Sequence, residues 1–288
     1  MGSGNHAFVT GGTGLVGRAL VERLLRRGVN VTLMLRRNAE ERRREAIDRM
    51  LAMAGGANGS LTLVSGDLAE PDMGLSAAGL DALEEAGHCF NVAAMYDITA
   101  EPEAIETVNV DGTKHLLSAM RRAGFDGRLH HVSSIAVAGN YADTFTESMF
   151  EEGQGFPHAY HRSKFESEKL VRESGFDHRI YRPSGVVGDS KTGAIDKIDG
   201  IYFGFRAFQK LAYALPRWVR LPLPRIRGAF NVVPVDYVAD AIVHIAFCPT
   251  EARVFHLVDP KPPSLTKMTG ILLDACLLYT SDAADELT

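Results

Sequence analysis

Tyr160 and Lys164 stand four residues apart, so a helix would place a phenol and an ammonium about one turn apart on the same face. A free phenol has a pKa of about 10, and a neighbouring cation lowers that pKa toward working pH. Among the eight tyrosines of the chain, Tyr160 alone has a lysine four residues later. The pair predicts acid–base catalysis by Tyr160, with Lys164 tuning its pKa and holding ribose hydroxyls of a cofactor.

A pair of serines, Ser133 and Ser134, closes a predicted strand over residues 129–132. The carboxyl edge of a parallel sheet is where such sheets bind ligands, and a serine hydroxyl there can donate to a substrate oxygen. Taken alone, the serine pair is typical of a turn. With Tyr160 and Lys164 downstream, it favours an enzyme that moves a hydride to or from a carbonyl carbon.

A glycine turn near the start of the chain is the predicted site of the dinucleotide that carries the hydride. It follows the apolar strand 7–9 and opens a predicted helix over residues 15–27, which is the context that makes the glycine pattern specific. The helix N-terminus supplies amides and a partial positive charge for a pyrophosphate. The predicted cofactor contacts in this turn are Gly11, Thr13, Gly14, Leu15 and Gly17.

The residues after the second predicted strand, 29–35, indicate which dinucleotide binds. An NAD site usually offers an acidic side chain there to the adenosine ribose. This chain offers Arg36 and Arg37 instead, and a guanidinium binds a 2′-phosphate in a charge-assisted fork. The sequence therefore predicts NADP(H) over NAD(H), with Arg36 at the strand end as the ligand. The alternative is that both arginines are surface charges.

Two further strand ends add predicted cofactor contacts. Asp67 and Leu68 follow the third strand, where a carboxylate can accept from the adenine amino group. Asn91 ends the fourth strand beside the expected cofactor path, and small residues such as Ala93 allow close approach there. Asn91 has the alternative of being a satisfied polar group at a strand end.

Strands and helices alternate over the first 183 residues, which predicts a doubly wound, Rossmann-like parallel α/β sheet. We predict an NAD(P)-binding core over 1–183 and a small, partly truncated substrate-binding region over 184–275, with a helix and strand near 234–258 returning to the core. The predicted strands are 7–9, 29–35, 61–64, 89–92, 129–132 and 178–181, and the predicted helices are 15–27, 38–53, 80–86, 105–123 and 158–173.

Bulk properties narrow the class of protein. The chain has 288 residues, 45% apolar content and a net charge of −5, which argues against electrostatic binding of nucleic acid. No apolar run reaches the roughly 18 residues of a membrane span, and we expect no signal peptide before the first strand. The three cysteines follow no metal-ligand spacing. We expect a cytoplasmic enzyme without a metal, and leave a homodimer open.

The motifs together resemble the extended short-chain dehydrogenases/reductases from about residue 7 to residue 265. The resemblance implies that Ser134 takes the catalytic serine position, that Asn109 is the family's helix asparagine, and that the segment containing Pro183 and Val186 touches the nicotinamide carboxamide. The segments that carry it are Thr10–Gly17, Asp67-Leu68, Asn91–Ala94, Asn109–Thr113, Val132–Ser134, Tyr160–Lys164 and Arg182–Gly188. The chain departs from the extended pattern at Asn91, where His is usual, and at Ala159, where Pro is usual.

Within that family, segments 63–76, 130–134 and 181–193 resemble thioester reductase domains and fatty acyl-CoA reductases. The resemblance implies a small-molecule substrate such as an acyl-CoA or a carrier-bound acyl thioester. The aromatic stretch 201–208 suits an acyl chain or a packed helix. Arg225 and Arg227 suit a phosphate of coenzyme A, of a carrier prosthetic group or of a sugar nucleotide.

Two other functions remain open from the sequence. A sugar-nucleotide epimerase or dehydratase on the same scaffold would keep its cofactor bound and consume no NADPH. A non-catalytic dinucleotide sensor would bind the cofactor without turnover, against which the intact Ser134, Tyr160 and Lys164 set argues. Residues 276–286 resemble the translated read-through of a sequencing adapter, so we predict that 276–288 is a non-native tail.

Overall fold

A computed structural model describes residues 3–36, 44–56, 58–96, 100–195 and 228–271. The strands are β1 (Ser3–Thr10), β2 (Asn30–Leu35), β3 (Leu61–Ser65), β4 (Ala86–Asn91), β5 (Arg128–Val132), β6 (His178–Pro183), β7 (Gly185–Val187), β8 (Val232–Pro234) and β9 (Val254–Leu257). The helices are α1 (Leu15–Arg26), α2 (Arg44–Met53), α3 (Ala77–Glu84), α4 (Pro102–Glu106), α5 (Gly112–Ala123), α6 (Ala159–Glu173) and α7 (Val235–Phe247).

Seven strands form one parallel sheet in the order β3-β2-β1-β4-β5-β6-β9, while β7 and β8 form a separate two-stranded sheet. The strand order runs outward in both directions from β1, so the sheet is doubly wound as the sequence predicts. The carboxyl ends of β1 and β4 lie side by side at the point where the order reverses. That point is where open α/β sheets bind ligands.

The strands are apolar because helices cover both faces of the sheet. Successive side chains of β1 point to opposite faces, so Ala7 and Val9 pack in one core cluster and Phe8 in the other. The first cluster takes its helical side chains from α1, α2 and α7, and includes Leu20, Met50 and Ile242. The second takes them from α3, α5 and α6. Both faces of the sheet are therefore packed against helices.

Several boundaries differ from the sequence prediction by a few residues. β4 occupies Ala86–Asn91 instead of 89–92, and α3 occupies Ala77–Glu84 instead of 80–86. Ser76 starts α3 because its hydroxyl accepts a hydrogen bond from the Gly79 amide. The chain therefore leaves α3 earlier and enters β4 directly. None of the helices in the described residues is long and apolar enough to cross a membrane.

The chain divides into two compact units, one of Met1–Ala194 with Val233–Val258 and one of Ile195–Val232 with Asp259–Thr288. In the second unit the Asn231 side chain donates to the Asp259 carbonyl oxygen and accepts from the Asp259 amide. The aromatic stretch 201–208, Arg225, Arg227 and the predicted tail 276–288 lie outside the described residues.

Candidate active site

The glycine turn between β1 and α1 has the backbone that close packing requires. Gly11 has φ of +71°, and a Cβ at Gly11 would collide with the backbone nitrogen of Ala93 after β4. A Cβ at Gly17 would collide with the Gly11 carbonyl oxygen and lie 2.7 Å from the Cα of Gly12. Gly11 and Ala93, both predicted from the sequence as cofactor contacts, therefore pack directly on each other.

The N-terminus of α1 is open where a pyrophosphate would approach. Gly14 is the N-cap, and it offers no side-chain hydrogen bond to the first turn, which begins at Leu15. A Cβ at Gly14 would meet the Gly11 carbonyl oxygen at 3.4 Å and, among the described residues outside its chain neighbours, no other atom within 4 Å. First-turn amides that the N-cap residue leaves uncapped, beside an open cradle, fit a dinucleotide phosphate. Thr13 is half-buried in the same turn.

Arg36 follows β2 directly and is exposed, at the position predicted for the ribose 2′-phosphate ligand. Asp67 lies after β3, where its carboxylate accepts a hydrogen bond from the Ala69 amide at 3.0 Å. Leu68 is buried, and its carbonyl oxygen lies 2.7 Å from Nδ1 of His115 on α5. β1, β2 and β3 are neighbours, so these residues line one edge of the sheet together with the glycine turn.

Ser134 and Tyr160 meet at the carboxyl end of β5. The Ser134 hydroxyl hydrogen-bonds the Tyr160 phenol, accepts from the Ala136 amide at 3.2 Å, and lies 3.4 Å from the Pro183 carbonyl oxygen. Ser134 is buried at the end of β5, and Tyr160 lies in the first turn of α6. The serine and tyrosine predicted from the sequence are therefore in direct contact.

The pKa of Tyr160 moves in the direction opposite to the sequence prediction. Burial raises it to about 12, which outweighs the lowering by the Ser134 hydrogen bond. The ammonium of Lys164 was expected to lower this pKa. Instead, Lys164 is buried and its Nζ donates to the Val132 carbonyl oxygen at 2.7 Å. A phenol that stays protonated at neutral pH is suited to donate a proton.

Lys164 lies one turn beyond Tyr160 on α6, as the spacing predicts. Burial lowers its pKa from 10.5 to about 8, and the Glu168 carboxylate raises it in the opposite direction. At neutral pH the side chain therefore still carries its charge. The buried Lys164 ammonium is held at the end of β5, next to Ser133 and Ser134.

Asn109 lies in one π-helical turn, Thr107–Asp111, between α4 and α5. Its side chain accepts from the Met95 amide at 2.7 Å, donates to the Met95 carbonyl oxygen at 3.1 Å, and donates to Ser163 Oγ at 2.9 Å. π turns are rare and frequent at functional sites. Asn109 thus joins the loop after β4 to α6.

Tyr96 is a residue at this site that the sequence reasoning missed. Its ring lies edge-on against the ring of Tyr160, with centroids 4.8 Å apart and an interplanar angle of 78°. The side chain is 43% exposed, so it reaches the surface directly beside the proposed proton donor. The Asn109 contacts fix the backbone of the preceding residue. No pattern in the sequence marks Tyr96, because it follows the strand end by five residues in an irregular loop.

Asn91 is buried at the end of β4, and both ends of its side chain have protein partners. Its Oδ1 accepts from Thr10 Oγ1 at 2.9 Å, and its Nδ2 lies 3.2 Å from Nδ1 of His131. Burial keeps the pKa of His131 well below its usual value, so the ring is neutral and its Nδ1 accepts from Asn91. These contacts tie together the ends of β1, β4 and β5. A cofactor contact of Asn91 stays a prediction.

Pro183 ends β6 and Val186 lies in β7, so both follow the strand next to β5. The Pro183 carbonyl oxygen faces the Ser134 hydroxyl. The segment predicted to touch the nicotinamide therefore adjoins the serine. The structure brings together Ser134, Tyr160, Lys164, Asn109 and Pro183, and separately groups Gly11, Gly14, Gly17 and Ala93.

Comparison with known proteins identifies an NAD-binding family and several relatives. Residues 9–242 match the NAD-binding family described as Male sterility protein. The chain is 31% identical over 279 residues to a non-canonical nonribosomal peptide synthetase, FrzA, from Cladobotryum sp, and 30% identical over 280 residues to an aldehyde reductase, lnaA, from Aspergillus flavus. Each alignment covers 88% of this chain and 26% of the relative, so the chain spans about a quarter of their length.

Among solved structures, the terminal R domain of the myxalamid biosynthetic pathway superposes with a TM-score of 0.79 at 26% identity, covering 94% of this chain and 69% of that one. A thiolation-reductase di-domain from an archaeal nonribosomal peptide synthetase superposes with a TM-score of 0.76 at 20% identity, covering 97% of this chain and 60% of that one. At that identity the second likeness shows the fold alone.

Proposed function

Because the chain belongs to the Male sterility protein family of NAD-binding domains, among the extended short-chain dehydrogenases/reductases, we propose that it reduces a carbonyl or acyl thioester carbon with NADPH. The observation that carries the proposal is the contact between Ser134 and Tyr160 at the carboxyl end of β5, with Lys164 buried one helical turn away. A serine hydroxyl and a protonated phenol that meet at this edge are placed to hold one substrate oxygen.

The cofactor supplies a hydride to the substrate carbon when it is bound. The groups fitted to hold it are the amides of the first turn of α1 and the Arg36 guanidinium at the end of β2. The Gly14 cradle has room for a phosphate, and a Cβ there would fill that room. Arg36 is the basis for proposing NADPH over NADH. It occupies the position where an NAD site usually has a carboxylate, which would repel a 2′-phosphate, whereas a guanidinium binds one.

In our proposal the carbonyl oxygen of the substrate accepts hydrogen bonds from Ser134 and Tyr160. As negative charge develops on that oxygen, Tyr160 transfers its proton to it. The raised pKa of Tyr160 keeps this proton in place at neutral pH. Lys164, positive and buried one helical turn away, holds the end of β5 through the Val132 carbonyl oxygen. For an aldehyde or ketone, the product is an alcohol.

For a thioester, the reduced carbon carries the thiol leaving group. The C–S bond breaks as the oxygen reforms a carbonyl and its proton passes to the departing sulfur, so one NADPH and one proton yield an aldehyde, a free thiol and NADP⁺. We propose an acyl group on coenzyme A or on a carrier protein as the substrate class. Its support is the description of relatives as peptide synthetases, a terminal R domain and aldehyde reductases.

The test is NADPH oxidation at 340 nm with a panel of acyl-CoA thioesters, acylated carrier protein and free aldehydes, with thiol release followed in parallel. We expect NADPH consumption with stoichiometric thiol release on at least one thioester. Interconversion of a sugar nucleotide without net NADPH consumption would contradict the proposal and identify the protein as an epimerase. Tight NADPH binding without turnover across the panel would replace it with a dinucleotide sensor.

A further inference from the structure

A buried carboxylate lies directly behind the proposed catalytic groups. Glu168 Oε2 accepts from Ser133 Oγ at 2.6 Å, and Arg182 donates from Nε to Oε2 at 3.1 Å and from Nη2 to Oε1 at 2.7 Å. The side chains of Glu168 and Arg182 are both 0% exposed. The Glu168 carboxylate is thus held from two strand ends, β5 and β6, and sits on the catalytic helix α6.

The guanidinium that holds Glu168 is itself fixed in several directions. Arg182 Nη2 donates to the Met149 carbonyl oxygen at 3.0 Å, and Nη1 donates to Nε2 of His256 on β9 at 3.2 Å. Arg172 adds a second cation, with Nη2 at 2.8 Å from Glu168 Oε1. Burial raises the pKa of Glu168, but the hydrogen bonds from Arg182 and Ser133 and the charges of Arg182 and Arg172 together lower it below its usual value, so the carboxylate is charged.

Glu168 also lies on the catalytic face of its helix. Tyr160, Lys164 and Glu168 are spaced by four residues each, so they follow one another along one face of α6. The acidic charge acts on Lys164 against the effect of burial. On the opposite side, the Lys164 ammonium helps burial to lower the pKa of His131 of β5, so that ring is neutral. Glu168 is thus the charged carboxylate that raises the pKa of the Lys164 ammonium.

We propose that Glu168 is a positioning residue of this active site: its fixed carboxylate holds the Ser133–Ser134 segment through the Ser133 hydroxyl and presents a negative charge to Lys164. Replacing a buried ion pair by apolar residues is often neutral or stabilising, so stability alone is weak reason to bury Glu168 and Arg182 together. The buried ion pair of Glu168 and Arg182 instead serves to orient Ser134 and to keep Lys164 charged. The inference rests on the catalytic roles proposed above.

The deciding experiment follows Lys164 itself and needs no substrate. The lysine Cε resonance is assigned with a Lys164→Arg variant and titrated by NMR in the intact chain, in Glu168→Gln and in Glu173→Gln. Glu173 is an exposed acid on the same helix, so its variant makes the same change in net charge. We expect the Lys164 midpoint, near 8 in the parent, to fall by about one pH unit in Glu168→Gln and to stay in place in Glu173→Gln.

An unchanged midpoint in a folded Glu168→Gln variant would overturn the electrostatic role whether or not the enzyme reduces thioesters. A second variant, Ser133→Ala, keeps the ion pair and removes the hydrogen bond to the serine segment. We expect its kcat to fall about ten-fold or more while NADPH affinity and the Lys164 midpoint stay unchanged. Full kcat in Ser133→Ala would overturn the positioning role, and this variant decides the matter if Glu168→Gln does not fold.

Discussion

The glycine turn permits a prediction that separates cofactor binding from folding. In Gly14→Ala the added methyl meets the Gly11 carbonyl oxygen at an ordinary 3.4 Å, and Gly14 already has φ of −76°, which alanine adopts without strain. The fold should accept the methyl. The methyl projects instead into the cradle that we assign to a phosphate. In Gly17→Ala, by contrast, the methyl collides with the protein's own backbone.

The magnitudes follow from these contacts. Displacing a phosphate from one charge-assisted hydrogen bond costs about 1.5–3 kcal/mol, so Gly14→Ala should weaken NADPH binding by about ten-fold to a hundred-fold. Its thermal midpoint should stay within about one degree of the parent. Gly17→Ala must push α1 away from β1, and such overpacking costs about 1–3 kcal/mol of the free energy of unfolding, so both affinity and melting temperature should fall.

The assay is a fluorescence titration with NADPH alongside thermal melts of the parent and both variants. Gly4→Ala serves as the matched control, because a Cβ there has no neighbour within 4 Å in the part of the chain that the structure describes, and Gly4 lies on β1 far from the turn. Unchanged NADPH affinity in Gly14→Ala would refute the assignment of the α1 N-terminus as the phosphate site. A large fall in its melting temperature would refute the description of the cradle as open.

Two further predictions concern the ends of the site. Arg36→Ala should weaken NADPH binding by about ten-fold and leave NADH binding nearly unchanged, because only NADPH carries the 2′-phosphate. Parallel titrations with the two cofactors measure this. Equal losses of affinity for both cofactors would count against Arg36 as the phosphate ligand. Tyr96→Ala should change KM across the substrate panel much more than NADPH affinity, because the ring stands half-exposed beside Tyr160. Tyr96→Phe, which keeps the edge-on ring contact, is its control, and an unchanged KM in the alanine variant would exclude Tyr96 as a substrate contact.

The sheet and the glycine turn were predictable because their signals are local. Apolar strands between helices, with glycines where strand meets helix, specify a doubly wound sheet through short-range patterns. The Tyr160–Lys164 spacing likewise fixed two side chains on one helical face. The observed helix boundaries differ from the predicted ones where a capping side chain determines the first residue of the helix, as Ser76 does for α3.

The groups that the sequence did not reveal depend on contacts between distant segments. The direction of the Tyr160 pKa shift follows from how deeply the folded protein buries the phenol, which spacing alone does not determine. Glu168 has a spacing signal, four residues after Lys164, but its importance lies in an ion pair with Arg182, 14 residues later on β6. Tyr96 carries no signal, because only the fold brings its loop against Tyr160.

The most direct test of the central claim is the turnover of Tyr160→Phe on whichever thioester or aldehyde the parent reduces. The change removes one hydroxyl and keeps the ring, so the contact with Tyr96 and the packing of α6 remain. We predict that kcat falls by about 10²–10⁴-fold while the Kd for NADPH stays within about two-fold of the parent. Turnover near the parent level in this variant would contradict the assignment of Tyr160 as the proton donor.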